Sequence, residues 1–395
     1  MTFLEKVMHT LEEKEERMIE IRRYLHAHPE LSFEEEKTAT YIADFYKDVP
    51  IDSIETNFGG NRGIVVDIKG GKEGKTLALR ADFDALPIKE ETDLPYASKN
   101  EGVMHACGHD AHTAYMLVLA ETLAEMKDQL KGNIRIIHQP AEEMPPGGAI
   151  DMVKAGVLDG VDAVLGIHVM SSMESGKVFY RSGETQTGRA KFVLKVQGKG
   201  GHGASPHTAN DAIVAASAFV MNVQTIISRR IDPFDTAVVT IGSFDGKGQF
   251  NIIKDAVTIE GDVRAMSNDA RDLVEKQVRQ ISKGLEEMYG VKAELDYAND
   301  YPVLINDEEV TGNVRDALIE ADIPEVEEVV EVEAQSPSED FAYYLQEKPG
   351  SFFYVGAQPK DKDWYPHHHP KFDIDENSLL ISAKSMAAVV AKYLG

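Results

Sequence analysis

Between residues 63 and 169, short apolar runs alternate with helical patterns, and several of the runs end on residues that carry chemistry. Gly63-Ile-Val-Val-Asp-Ile68, Thr76-Leu-Ala-Leu-Arg-Ala81, Asn133-Ile-Arg-Ile-Ile-His138 and Ala163-Val-Leu-Gly-Ile-His-Val169 read as strands. Helices are expected over about 111–127 and, in a short piece, near 147–155. This order predicts an α/β fold with a mixed, mostly parallel sheet between helices. Ahead of it, Leu4, Val7, Met8, Leu11, Met18, Ile21 and Leu25 fall at helical spacing, which predicts a helix over 3–25 with a break near Glu15. Pro29 ends that helix, because the residue before a proline avoids helical dihedrals. A second helix is expected over about 34–47.

The pattern changes near residue 188. Lys191–Val196 alternates, a glycine-rich turn follows at 198–203, and a helix is expected over about 209–229. Strands at 236–241 and 256–263, a helix at 268–289 and a strand near 292–297 complete the order β-α-β-β-α-β. That order is ferredoxin-like and can stand as its own α+β domain. The chain is therefore expected to carry this domain, over 188–299, as an insertion in a first domain built from 1–187 and 300–395. A length of 395 residues suits two cores.

Charge narrows the function. With 41 basic against 67 acidic residues the net charge is −26, and no basic cluster is longer than Arg22-Arg23 or Arg229-Arg230. A nucleic-acid partner is not expected. The charged N-terminus lacks an apolar signal region, and no stretch approaches the roughly 18 apolar residues needed to span a bilayer. A cytoplasmic protein without a membrane partner is the expectation. The single cysteine, Cys107, excludes an intrachain disulfide and fits a reducing compartment.

Candidate chemistry clusters at the ends of the predicted strands. Met104-His-Ala-Cys-Gly-His-Asp-Ala-His112 crowds a thiol and several imidazoles into one loop. Thiolate and neutral imidazole suit zinc and similar ions. Cys107 and His109 lie two apart, so an extended loop can point both to one side. His105, Asp110 and His112 could orient such ligands, and Asp110 could equally cap the following helix. The pair Glu142-Glu143 follows the strand that ends at His138. One carboxylate could bind metal while its neighbour shuttles a proton. His168 closes an apolar strand, and the run His367-His-His-Pro370 offers a further imidazole. Asp82 and Asp84, on one side of a strand end, could bind metal, orient a histidine or cap a turn.

These segments resemble the M20 metallopeptidase family, specifically its D branch of amidohydrolases and aminoacylases. The resemblance covers nearly the whole chain. It rests on 22–33 (Arg-Arg-Tyr-Leu-His-Ala-His-Pro-Glu-Leu-Ser-Phe), 79–87, 104–112, 138–143, 201–207 (Gly-His-Gly-Ala-Ser-Pro-His), 338–344 and 368–372. It implies that Cys107, His109, Glu143, His168 and His368 hold two divalent metal ions, zinc or manganese with cobalt also fitting. Glu142 would be the general base, and Asp84 would support the ligands from behind. The inserted domain would be a lid that also forms a homodimer interface. From it His202 would steady the oxyanion in the partner's site, and Asn251 would hold the substrate near its carboxylate. Where many members carry a His-x-Asp pair, this chain has Asp82-Phe-Asp84, and the Cys-Gly-His loop is expected to compensate.

The implied reaction is hydrolysis of the amide bond of an N-acyl amino acid. A dipeptidase or carboxypeptidase of the same family is the nearest alternative. Outside the family stand a hydrolase with Cys107 as nucleophile and a metal-binding protein without catalysis. Retention of both Glu142 and Glu143 argues against a mere binder.

Overall fold

The computed structural model describes residues 1–395, which form two compact units. The first comprises Met1–Gly183, Ile305–Glu333 and Asp340–Gly395; the second comprises Glu184–Leu304 and Ala334–Glu339. The second unit thus starts and ends a few residues beyond the 188–299 expected from sequence. It also includes 334–339, because that segment hydrogen-bonds to its first strands. Gln335 N–H donates to the Thr185 carbonyl at 2.8 Å, and Thr187 N–H donates to that of Pro337 at 3.1 Å. No local pattern in 334–339 signals such a pairing.

The first unit is built on an eight-stranded sheet. Its order is Ser53–Phe58, Gly63–Lys69, Lys131–Gln139, Lys72–Asp82, Ala163–Glu174, Gly350–Gln358, Lys177–Tyr180 and Glu328–Glu331. The four central strands, from Lys131–Gln139 to Gly350–Gln358, are parallel to one another, and antiparallel pairings flank them. The fold is a mixed α/β layer with a mostly parallel sheet.

Both faces of that sheet are covered, which explains why its strands read as nearly continuous apolar runs. Leu77, Leu79 and Ala81 join a core that also takes in the helices Glu15–Ala27, His109–Glu125 and Asn377–Leu394. From the opposite side of the same strand, Arg80 reaches Gln139 and Asp340 and lies 5.9 Å from the Phe341 ring centroid. The helix His109–Glu125 is buried on every side through Ala124, which fits its lack of a polar face. At the N-terminus, helices Phe3–Glu13 and Glu15–Ala27 meet at Lys14, and Thr2 with Glu5 forms a capping box on the first.

The second unit holds a four-stranded antiparallel sheet in the order Ala237–Asp245, Ala256–Ala265, Gly188–Gln197, Lys292–Tyr301. Helices Ala212–Arg229 and Asn268–Tyr289 pack on it, giving the chain order β-α-β-β-α-β and a core around Phe192, Leu194, Phe219 and Val274. Asp211 and Ser267 cap the two helices through their side chains. The helix Ala212–Arg229 is long and apolar, and Ala212, Ala215, Ala216, Phe219, Val223 and Ile226 form its buried face, while Ile213, Val214 and Met221 are exposed.

Candidate metal centre

The site of the first unit grows from the carboxyl ends of its parallel strands, the edge where open α/β sheets place ligands. Asp82 ends its strand level with Gln139, so the loops carrying Asp84 and Glu142-Glu143 leave side by side. His168 lies in the next strand, level with Tyr354. The Cys107 loop enters from the start of the helix His109–Glu125. Gly108 makes that entry possible: its φ is +92°, and a Cβ there would meet Val169 Cγ2 at 2.5 Å.

Donor atoms from these segments converge. Cys107 Sγ is 3.5 Å from His168 Nε2. His368 Nε2 is 3.2 Å from Glu143 Oε1, which is 3.9 Å from His109 Nε2. Cys107, His109 and His168 form one group with donor atoms within 4.8 Å of one another, and Cys107, Glu143 and His368 form another. The groups share Cys107. Buried Glu142 joins a further such group with His109 and Glu143. His368 takes a left-handed φ of 65°, and its N–H donates to the Ala106 carbonyl at 2.8 Å, which ties the histidine run to the cysteine loop.

Hydrogen bonds on the far ring nitrogens aim the imidazoles. His168 Nδ1 lies 2.7 Å from the Val169 carbonyl, and His109 Nδ1 lies 3.0 Å from the Asp84 carbonyl and 3.1 Å from its Oδ1. A carbonyl only accepts, so each Nδ1 carries a proton and each Nε2 faces the cluster. His109 Nε2 is buried without a hydrogen-bond partner. An orphaned ring nitrogen beside a thiol, a carboxylate and two further imidazoles fits a cation. The residues present therefore suit divalent metal.

Charge agrees. Burial works against a charged His109, but Asp82, Asp84 and Glu143 outweigh it and push its pKa up to about 10, so this pocket favours positive charge and a bound cation would take the place of the ring's second proton. Burial, with His112 and His367 nearby, holds His168 well below the usual histidine range. Burial and the carboxylates of Glu143, Glu142 and Asp82 push the Cys107 thiol well up. A thiol so placed is a poor nucleophile by itself, whereas a cation would draw off its proton.

Asp84 touches two of the converging groups. Besides meeting His109, it accepts Glu143 N–H at 3.0 Å and the Ser32 hydroxyl at 2.7 Å. Asp82 is held by Arg80 at 2.6 Å and by His112 Nδ1 at 2.6 Å. His112 Nε2 accepts Val169 N–H at 3.0 Å, so both its nitrogens are engaged in orienting the strand end. Asp110 does not cap its helix. It lies buried in the first turn, salt-bridged to Arg22 at 3.0 Å and 2.9 Å from His26 Nδ1, while Gly108 takes the cap position. His105 is buried with neither ring nitrogen hydrogen-bonded, and burial lowers its pKa to about 4.

Sequence reasoning passed over Ser32 and Glu35, and within the histidine run it favoured His368 over His367. His367 is half-buried, its ring centroid 5.3 Å from that of His168, and desolvation pushes its pKa down to about 3. Glu35 is fully buried and accepts Ala141 N–H at 2.9 Å. The acidic run Glu34-Glu35-Glu36 gave no sign that its middle member turns inward.

His202 and Asn251 belong to the second unit, where both are exposed. They lie together: His202 pairs with Ile252, and Gly203 N–H donates to the Asn251 carbonyl at 2.9 Å. Ala204 N–H donates to His202 Nδ1 at 3.1 Å.

Comparison with known proteins agrees with this geometry. Residues 78–392 match peptidase family M20/M25/M40. The N-acetyl-L-cysteine deacetylase of Bacillus subtilis (strain 168) is 42% identical, the match covering 93% of this chain and 85% of the relative. A solved structure from methicillin resistant Staphylococcus aureus is 62% identical with a TM-score of 0.95, over 99% of this chain and 100% of that one. The YXEP protein of Bacillus subtilis, described as a dinuclear metal binding peptidase, is 33% identical with a TM-score of 0.81, over 96% and 98% of the two chains. With its donors gathered at the strand ends and this likeness along its length, the chain belongs to peptidase family M20/M25/M40 and is a metal-dependent hydrolase of C–N amide bonds.

Proposed function

We propose that Cys107, His109, Glu143, His168 and His368 hold two divalent cations and that the enzyme releases free amino acids from N-acyl amino acids. The carrying observation is the pair of donor groups that share Cys107, with buried Glu142 beside them. Zinc, manganese or cobalt would suit this mixture of sulfur, nitrogen and oxygen donors. Bound there, divalent metal would polarise the amide carbonyl and lower the pKa of a water molecule.

The chain's own residues do the rest. Glu142 takes the proton of the attacking water and returns it to the leaving amine. Asp84 fixes the His109 tautomer and anchors Glu143 through its N–H. His202, acting from the other subunit of a homodimer, steadies the oxyanion, and Asn251 holds the substrate carboxylate. We place the enzyme in the cytoplasm and assign the second unit the roles of lid and dimer contact.

Screening N-acyl amino acids and dipeptides against metal-reconstituted protein tests the substrate class. Preference for dipeptides would favour the peptidase alternative. Glu142→Gln should keep the metal and lose at least about 100-fold in kcat, the lower end of what general base catalysis contributes. Surviving turnover in that variant would show that the base is misassigned. Chelation should abolish activity and added metal restore it; activity indifferent to chelation would instead favour Cys107 as nucleophile.

A further inference from the structure

The two glutamates at the heart of the site are presented by a strained residue. Ala141, directly before Glu142, has φ of +55°, in the left-handed region that side chains other than glycine seldom adopt. Such a conformation persists where its surroundings over-determine it. Two hydrogen bonds do so here. The Ala141 carbonyl accepts Gly148 N–H at 3.1 Å, and the Ala141 N–H donates to Glu35 Oε1 at 2.9 Å.

Glu35 is an expensive way to satisfy amides: apart from its own N–H and that of Phe33, both in its own turn, the carboxyl group reaches only Ala141 N–H. Its side chain is fully buried, its second oxygen has no hydrogen-bond partner, and the Asp84 carboxylate repels it. A buried carboxyl group so placed costs stability, so its benefit must lie in what it holds. The segment bearing it is firmly docked beneath the site. Leu31 bridges to Ala85, Ala85 N–H donates to the Glu30 carbonyl at 2.9 Å, and Ser32 donates to Asp84. Glu35 also opens the helix Glu36–Phe45, with Ala39 N–H donating to its carbonyl at 3.0 Å. The carboxyl group thus projects from a rigid corner onto the amide that precedes the general base.

We infer that Glu35 is a positioning residue, clamping Ala141 in its left-handed conformation so that Glu142 and Glu143 are both presented to the donor cluster for their separate tasks. The inference rests on the reaction proposed above. Amide exchange at Ala141 reads the clamp whatever that reaction proves to be.

Three variants test it in the metal-loaded enzyme. Glu35→Leu keeps similar bulk and removes the acceptor. It should lower the protection of the Ala141 amide at least tenfold, while the Glu143 amide, held by Asp84, keeps its own. In the same variant kcat should fall about 10- to 100-fold, the scale of a roughly 1 Å misplacement, with KM and bound metal changing less than twofold. Glu35→Gln retains an acceptor and should keep both protection and kcat. Adding Ala141→Gly to Glu35→Leu lets the left-handed conformation form without strain and should recover at least fivefold of the lost kcat. Should Glu35→Leu not fold, Glu35→Ala carries the same expectations. The inference is overturned if the acceptor-less variant keeps the Ala141 protection. It is equally overturned if that variant melts lower with unchanged kcat, or if Glu35→Gln loses as much as Glu35→Leu. Turnover surviving in Glu142→Gln would instead sink the proposed reaction and leave the exchange result standing.

Discussion

At the scale of single residues, the site is a set of buried polar groups whose protonation is fixed by neighbours. Glu35 shows how this reaches stability. Burial, reinforced by Asp84, pushes its carboxyl pKa up to about 7, whereas an unfolded glutamate ionises near 4.3, an approximate value. Between these values the folded chain binds more protons than the unfolded one. The stability contributed by the neutral acid is therefore full below about pH 4.3 and lost as pH rises to about 7, a loss on the order of 3 kcal/mol. Glu35→Gln cannot ionise, so its stability should fall less than that of the parent over this window. Urea unfolding at a series of pH values measures the difference; parallel curves for the two proteins would contradict it.

At the scale of elements, two devices hold the helix His109–Glu125 against the sheet. One is Gly108. Gly108→Ala must place a methyl group 2.5 Å from Val169 Cγ2 in a left-handed backbone. We expect a destabilisation of about 1–3 kcal/mol and weaker metal binding, since Cys107 and His109 flank the turn. Thermal melting and metal titration of the variant would check both. The other device is Arg22, fully enclosed and donating to Asp110 at 3.0 Å, Asp373 at 2.9 Å, Glu376 at 3.0 Å and the Tyr96 hydroxyl at 3.1 Å. It ties the helix Glu15–Ala27 to the helix that follows the Cys107 loop. Although burial opposes it, the Arg22 guanidinium and His26 hold Asp110 well below the usual carboxylate range. That contribution is present above about pH 4 and is lost only in acid. Arg22→Met strands the Asp110 charge and should cost about 3–5 kcal/mol in chemical unfolding at pH 7; a cost under about 1 kcal/mol would mean the network adds little.

At the scale of the whole molecule, the two units carry separate cores, and the proposed ligands all lie in the first. Metal that binds only the folded first unit stabilises it by mass action, about 2.7 kcal/mol at a free concentration 100 times Kd. Chelation should therefore lower the melting of that unit by several degrees and leave the second unit's transition in place. Calorimetry with and without chelator reads this directly. A single transition that shifts as a whole would show the units melt together.

The sequence by itself determined the elements and the donor types. Apolar runs of strand length and helical spacing are local, so the helix break near Glu15, the central strands and the β-α-β-β-α-β order of the second unit could be read before any contact was known. The donor-bearing loops were legible because they follow those strands. Tertiary structure decided everything that depends on contacts between distant segments. The His109 and His168 tautomers follow from carbonyls and carboxylates that only the fold brings near. His112 and Asp110 became supports because Asp82 and Arg22 meet them across the core. Glu35 turned inward because Ala141, more than 100 residues later in the chain, offers an amide that water cannot reach. Local chemistry dictates which groups a segment can offer, but burial and partner choice are set by packing, and no short window of sequence contains them.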